Sequence, residues 1–141
     1  MHVSSDIRSL DITILEKILL KENFEKYRAT QVFDWLIKGN IYSFSEMNNL
    51  PKDLISFLKS RFKINNICIK LIQSSNDGTI KFLLSLYDNN IIEAVLIPTE
   101  NRITACISSQ VGCSLDCDFC ATSKIKRMRN LEFYEIFDQL M

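Results

Sequence analysis

The chain has 141 residues, 47% of them hydrophobic, which is enough to bury the core of a folded domain and excludes overall disorder. Lys plus Arg and Asp plus Glu both number 17, so the net charge directs the protein neither to nucleic acid nor to a membrane. No run approaches the ~18 apolar residues that span a bilayer. The first residues lack the basic and apolar regions of a signal peptide, so we expect a cytoplasmic protein with no membrane partner.

The first third of the chain has helical periodicity. Apolar residues recur at three- and four-residue spacing in residues 10–22 and 28–38, and Gly39 then predicts a helix stop. Ser43 predicts the cap of a short helix, and Pro51 predicts the start of another. The residues predicted to face the core are Leu10, Ile14, Ile18, Leu19, Val32, Phe33, Trp35, Leu36, Ile37, Leu54, Ile55, Leu58 and Phe62.

From residue 67 the pattern changes to short apolar strands separated by turns. Residues 76–78 (Asn-Asp-Gly) and 88–90 (Asp-Asn-Asn) predict two turns, so the first three strands form an antiparallel meander. A fourth strand, residues 102–109, leads into a cysteine-rich loop, and an amphipathic helix follows from Leu131. A strand, a loop that carries reactive side chains and a helix are what opens a β/α barrel.

Three of the five cysteines, Cys113, Cys117 and Cys120, form a C-x3-C-x2-C motif in that loop. In a reducing cytosol this crowding favours a metal or redox centre over a disulfide framework. Three thiolates so close in sequence can bind three irons of a [4Fe–4S] cluster and leave the fourth iron open to a cofactor. With Phe119 directly before the last cysteine, the spacing is that of the radical S-adenosylmethionine (SAM) superfamily.

A structural zinc site is the alternative for the same cysteines. Tetrahedral zinc prefers C-x2-C pairs and closes with a fourth ligand, which here would be Cys106 or His2. Gly112 would let the backbone turn sharply into the first ligand, or it is an ordinary loop glycine. The motif spacing favours iron and sulfide over zinc.

The run RITACISSQVGCSLDCDFCATSKIKRMRNL resembles the RlmN-type ribosomal RNA adenine C2 methyltransferases of the radical SAM superfamily. The segments SSQVGC and CDFCAT carry this resemblance. Upstream, YRATQVFDWLIKG and FSEMNNLPKDL resemble the helical RNA-binding domain with which members of that family begin. The resemblance therefore covers nearly the whole chain from about residue 10 onward.

The resemblance implies a role for individual residues. Cys113, Cys117 and Cys120 match the cluster ligands, Glu93 matches the proton acceptor, and Cys106 matches the cysteine that forms a transient disulfide with a methyl-carrying cysteine near the C-terminus. Taken from the residues alone, Glu93 is an exposed strand glutamate and Cys106 a buried strand thiol.

The remaining cysteine, Cys68, has no matching role and is predicted to pack within a strand. Basic residues at positions 26, 28, 38 and 52 and in segment 124–129 are either phosphate contacts or ordinary solvated charges.

The resemblance also implies the chemistry and its partners. The cofactors would be a [4Fe–4S] cluster and SAM, and Phe119 would be among the residues that contact them. The substrates would be 23S rRNA and some tRNAs. Adenine C2 is electrophilic and cannot attack SAM directly, so the family loads a methyl group on a cysteine sulfur and then uses radical chemistry. Methylation at C8 is the alternative regiochemistry.

A complete β/α barrel needs roughly 200 residues by itself. Neither the glycine-rich strand that holds SAM nor the methyl-carrying cysteine has a counterpart here, so we expect a truncated chain, inactive alone, whose partner is a C-terminal half. The alternatives are a stand-alone or complementing RNA-binding module and a small iron–sulfur protein. The predicted fold is α+β, with a helical RNA-binding-like domain over 1–65, an antiparallel strand segment over 66–101 and the start of an incomplete radical SAM barrel over 102–141.

Overall fold

The computed structural model describes residues 5–38, 41–113 and 127–141, which separate into two compact units. The first unit extends to Asn65 and the second begins at Asn66. Helices of the first unit are α1 (Ile12–Lys21), α2 (Tyr27–Lys38) and α3 (Lys52–Arg61). Elements of the second unit are β1 (Cys68–Ser74), β2 (Ile80–Ser85), β3 (Ile91–Thr99), β4 (Arg102–Cys106), β5 (Gln110–Val111), β6 (Arg129–Asn130) and α4 (Phe133–Phe137).

The helical unit is built around one apolar core, and the predicted helices are confirmed. Its buried residues are Ile7, Leu15, Leu19, Ala29, Val32, Leu36, Ile41, Phe44, Met47, Leu50, Leu54, Leu58 and Phe62. Phe33 and Trp35 pack partly buried against this core, as expected. The prediction was wrong for Ile14 and Ile37, which are 46% and 51% exposed. The buried residues of α1 are instead Leu15 and Leu19, which lie four residues apart on one face of the helix.

Local hydrogen bonds set where these helices begin. The Asp11 carboxylate accepts from the Thr13 backbone N–H at 2.7 Å at the start of α1. Ser43 and Glu46 form a capping box around a short 3₁₀ turn, which confirms the cap predicted at Ser43. Pro51 immediately precedes α3. The helix stop predicted at Gly39 lies outside the described residues.

A buried aspartate fastens the start of the helical unit to its end. The Asp6 carboxylate accepts from the Arg8 backbone N–H at 2.9 Å, from the Arg8 guanidinium at 3.1 Å, and from the Asn65 backbone N–H at 2.6 Å. The Ile7 backbone N–H donates to the Lys63 carbonyl at 3.1 Å beside it. The side chain of Asp6 is 1% exposed, so these donors replace the water that its charge would otherwise require.

The second unit contains a four-stranded antiparallel sheet in the order β1-β2-β3-β4. The predicted meander is therefore confirmed and extended by one strand. The strand expected over residues 102–109 ends at Cys106, the last residue of β4 that pairs with β3. A tight turn pairs Arg102 with Thr99 and folds β4 back along β3. The short β5 and β6 form a separate antiparallel pair.

Both turns predicted in this sheet occur, and each uses a left-handed backbone. Gly78 has φ +83° and Asn89 has φ +64°, conformations that glycine and asparagine adopt most readily. A methyl group at Gly78 would lie 3.1 Å from the Pro98 ring, a tight contact that adds to the conformational reason for glycine in the first turn.

One face of the sheet carries the core of the second unit. Its buried residues are Leu84, Leu86, Ile92, Ala94, Val111 and Leu131. The edge strand β1 is exposed along its length, and Ile103 on the opposite edge strand is 72% exposed. No helix among the described ranges is both long and apolar enough to cross a membrane.

We predict that Asp6→Ala lowers the free energy of unfolding of the helical unit by about 3 kcal/mol, because a buried ion pair loses one partner. Trp35 is the single tryptophan and lies in this unit, so its fluorescence during urea unfolding measures the change. Asp11→Ala, which removes an exposed cap, is the matched control and should cost less. Equal losses in the two variants would show that Asp6 does not fasten the unit.

Candidate functional site

The cysteine segment is bounded by the β5–β6 pair. The Met128 backbone N–H donates to the Val111 carbonyl and the Leu131 backbone N–H donates to the Ser109 carbonyl, both at 2.9 Å. Gly112 follows β5 with φ +70°, and Cys113 comes next with a half-buried side chain. The two chain ends that flank the cysteines therefore lie side by side.

The other two motif cysteines, Cys117 and Cys120, lie outside the described residues, as does Phe119. Among the residues that the structure describes, no group of three His, Cys, Asp or Glu side chains is arranged to hold a metal ion. The ligand set predicted from the sequence therefore stays a prediction.

Arg129 is the centre of an ionic network at the exit of this segment. Its Nη1 and Nη2 donate to the two carboxylate oxygens of Glu135 at 2.7 and 2.8 Å, and its Nε donates to Asp88 Oδ2 at 2.8 Å. The guanidinium also lies 5.5 Å from the centre of the Tyr87 ring. The side chain of Glu135 is 1% exposed. One cation therefore joins β6, the turn between β2 and β3, and α4.

The network changes the acidity of its members. The hydrogen bond with Glu135 raises the pKa of Arg129 above its usual value, against the opposing effect of burial. Burial raises the pKa of Asp88, but hydrogen bonds from Arg129 and Asn90 outweigh it, so this pKa lies below its usual value. Both groups are therefore charged over the physiological range.

Glu93 lies on β3, opposite Leu83 of β2. Its carboxylate is 39% exposed and forms an ion pair with Lys81, with 2.6 Å between Nζ and Oε1. Glu93 is the third residue of β3 and therefore a strand glutamate, as expected from the residues alone. It is a half-exposed, charge-compensated group that solvent can reach.

Cys106 ends β4 and pairs with Val95 of β3. Because Glu93 is two residues from Val95, Glu93 and Cys106 occupy the same face of the sheet as diagonal neighbours, at a typical separation of about 7–8 Å. The buried thiol expected from the residues alone was wrong: Cys106 is exposed because β4 is an edge strand. Cys68, predicted to pack within a strand, is also exposed, since β1 is the other edge.

Gln139, two residues beyond the end of α4, fixes the chain between Cys106 and Cys113. The Gln139 side chain accepts from the Ser108 backbone N–H at 2.8 Å and donates to the Ser108 carbonyl at 2.9 Å. The Ser108 hydroxyl donates in turn to the Glu93 carbonyl at 2.8 Å. This serine links the turn after α4 to the strand that carries Glu93.

Sequence reasoning missed Arg129, Glu135 and Gln139. Arg129 was read only as one of the basic residues of segment 124–129, but two carboxylates already hold its guanidinium. Arg127 remains exposed and donates to the Asn130 side chain at 2.8 Å. One feature of the sequence could have indicated this ion pair. Glu135 places a charge next to Tyr134, among the apolar residues of the last helix.

Comparison with known proteins identifies relatives. The family described as ribosomal RNA large subunit methyltransferase N-terminal domain matches residues 5–64. The probable dual-specificity RNA methyltransferase RlmN of Flavobacterium johnsoniae is 50% identical over 136 residues, covering 96% of this chain and 39% of the relative. The dual-specificity RNA methyltransferase RlmN of Pelobacter propionicus is 43% identical over all 141 residues, which cover 41% of its length. This chain thus spans about two fifths of the curated relatives it matches.

A solved structure gives the same relationship. The crystal structure of a radical SAM methyltransferase from Sphaerobacter thermophilus matches 96% of this chain with a TM-score of 0.80 and 34% sequence identity, and this chain covers 40% of it. The mixed arrangement of helices and antiparallel strands is therefore shared with that enzyme.

We predict that acid weakens the second unit through Asp88. A carboxyl group whose pKa is lowered on folding stabilises the folded state above its unfolded pKa of about 4 and loses that contribution as the pH falls through the folded pKa. Asp88→Asn should therefore make thermal unfolding, followed by circular dichroism, less sensitive to pH below about 4. Glu100→Gln, in an exposed turn, is the control and should keep the acid sensitivity of the wild type. An Asp88→Asn profile parallel to the wild type would contradict the prediction.

Proposed function

We propose that this chain belongs to the RlmN-type RNA methyltransferase family and corresponds to the N-terminal part of a radical SAM enzyme that methylates adenine C2. The family match over residues 5–64 and the 43–50% identity to relatives of which the chain spans about two fifths support this. The substrates would be 23S rRNA and some tRNAs. The observation that carries the proposal is a match over nearly the whole chain that includes the C-x3-C-x2-C motif. The enzyme would act in the cytoplasm.

The cysteine motif would hold the iron–sulfur cluster. Cys113, Cys117 and Cys120 supply three soft thiolate donors within eight residues, and the described one is half-buried directly after the paired strand β5. This donor set fits a [4Fe–4S] cluster with one iron left for SAM, and Phe119 would contact the bound cofactor. When bound, the cluster and SAM would supply the radical chemistry that an electrophilic aromatic carbon requires.

Glu93 would accept the proton that leaves adenine C2. Its position on the same face as Cys106 and its partial exposure support this role. A base must come within hydrogen-bond reach of the proton it removes. Lys81 would hold the carboxylate in place until a substrate competes for it.

Cys106 would release the product. Its thiolate would form an S–S bond with the methyl-carrying cysteine, which lies outside this chain, while the S–C bond to the product breaks. The electron pair of that bond would stay on carbon, which takes up a proton. The exposure of Cys106 on an edge strand supports such an exchange, because a disulfide partner needs access to the sulfur.

The parts of the chain would have different functions. Residues 1–65 would bind RNA, residues 66–101 would connect, and residues 102–141 would begin the radical SAM barrel that the rest of the enzyme completes. In the helical unit, Lys38 is paired with Asp34 at 2.7 Å, whereas Lys52 lies exposed at the start of α3. Lys52 is therefore the better placed of the two to meet a phosphate.

We predict that Cys117→Ala abolishes the brown colour and the iron and sulfide content of anaerobically reconstituted protein, because a three-thiolate site loses one ligand. Metal and sulfide analysis per chain measures this. Cys68→Ala removes a thiol outside the motif and should load like the wild type. A Cys117→Ala protein with full iron and sulfide would contradict the cluster assignment, and stoichiometric zinc would favour the structural alternative.

A stand-alone RNA-binding module is the second candidate, favoured by the separate core of the helical unit.

We predict that this chain binds a 23S rRNA fragment with an affinity that falls as the salt concentration rises. Lys52→Gln should reduce the slope of log K against log salt concentration by about one. Lys70→Gln, on β1, is the matched control and should leave the slope unchanged. Binding that is insensitive to salt would contradict phosphate contact by the helical unit.

A further inference from the structure

Arg129 and Glu135 form a bidentate ion pair with a buried carboxylate. Both carboxylate oxygens of Glu135 accept from the guanidinium, and the same carboxylate accepts from the Glu132 backbone N–H at 2.8 Å. Bringing such a pair out of water costs about as much as it returns, and apolar residues of similar size usually fill the space equally well. The specific gain from an ion pair is geometric, since it joins particular atoms in one arrangement.

The arrangement it fixes is the exit of the cysteine segment. Arg129 pairs directly with Val111, two residues before Cys113. Its guanidinium reaches Glu135 on α4 and Asp88 in the turn between β2 and β3. The backbone leaving the cysteines is thereby fastened to two elements that belong to the packed core of the unit.

The turn that follows α4 also fastens the chain on the other side of the cysteines. Gln139 holds both backbone groups of Ser108, and its Nε2 donates to the Glu135 carbonyl at 3.1 Å. Gln139 and Glu135 thus hold the chain on both sides of Cys113, the first through Ser108 and the second through Arg129.

We propose that Arg129 and Glu135 are positioning residues that keep the two ends of the cysteine segment in register, so that Cys113 is presented together with the other two motif thiolates to one cluster. This inference rests on the proposed function. Arginine is required because its planar fork can bind both oxygens of one carboxylate and reach a second carboxylate at once. A lysine would keep the charge but lose this geometry.

The test compares Arg129→Lys with Arg127→Lys, which makes the same change two residues away at an exposed arginine. Each variant of the 141-residue chain is reconstituted anaerobically with iron and sulfide and then challenged with an iron chelator. Visible absorption and iron per chain measure cluster retention, and amide hydrogen exchange at Met128 and Leu131 measures the register of the β5–β6 pair. We expect Arg129→Lys to lower cluster retention about tenfold, the scale at which outer contacts act on metal sites, with faster exchange at both amides.

Each outcome decides the proposal. Arg127→Lys should match the wild type in both measurements. An Arg129→Lys protein that exchanges faster but retains its cluster like the wild type would reduce the pair to a structural role and overturn the proposal. A wild-type chain that takes up no iron and sulfide would instead defeat the cluster assignment on which the proposal rests, which separates the two failures.

A double variant covers the case in which Arg129→Lys does not fold. Arg129→Gln combined with Glu135→Gln leaves no unpaired charge in the core and should fold, with the two amides giving room for a neutral hydrogen bond. Because neither glutamine reproduces the bridge to Asp88, its cluster retention should stay below that of the wild type. Retention equal to the wild type in this folded variant would overturn the proposal.

Discussion

A carboxylate that water cannot reach must be neutralised by a neighbouring cation, and in the second unit that carboxylate belongs to Glu135. Arg129 meets this need, and in doing so it joins the exit of the cysteine segment to the last helix and to a turn of the sheet. The proposed chemistry depends on the chain being held on both sides of the motif cysteines. The ion pair and the Gln139–Ser108 contact hold it there, one from α4 and the other from the turn that follows α4.

Much of the secondary structure could be predicted because it follows from local sequence. Helical spacing, the capping residues at Ser43 and the two turn sequences each reflect the backbone preferences of a few adjacent residues. Which apolar residue of a helix is buried depends on the neighbouring helices, so Ile14 and Ile37 were misplaced. The end of β4 at Cys106 likewise depends on pairing with β3, which apolar alternation does not encode.

The sequence predicts a chemistry for the candidate site, and this stays a prediction, but it says much less about the surroundings of the site. Three cysteines at fixed spacing indicate a cluster without any knowledge of the fold. The shared face of Glu93 and Cys106 could not be predicted, because it requires the register between β3 and β4. Partners distant in sequence, such as Asp88 for Arg129, come together only when the sheet and the last helix pack.

The two exposed thiols on opposite edges of the sheet affect how the protein behaves in air. Among the described residues, Cys68 on β1 and Cys106 on β4 are the exposed cysteines, so the sheet presents two separate points at which an oxidant can link one molecule to another. A molecule with one such point gives only dimers, whereas a molecule with two gives open-ended chains. Covalent polymer formed during aerobic handling is thus a property of this sheet's edges, distinct from unfolding and reversible by a reducing agent.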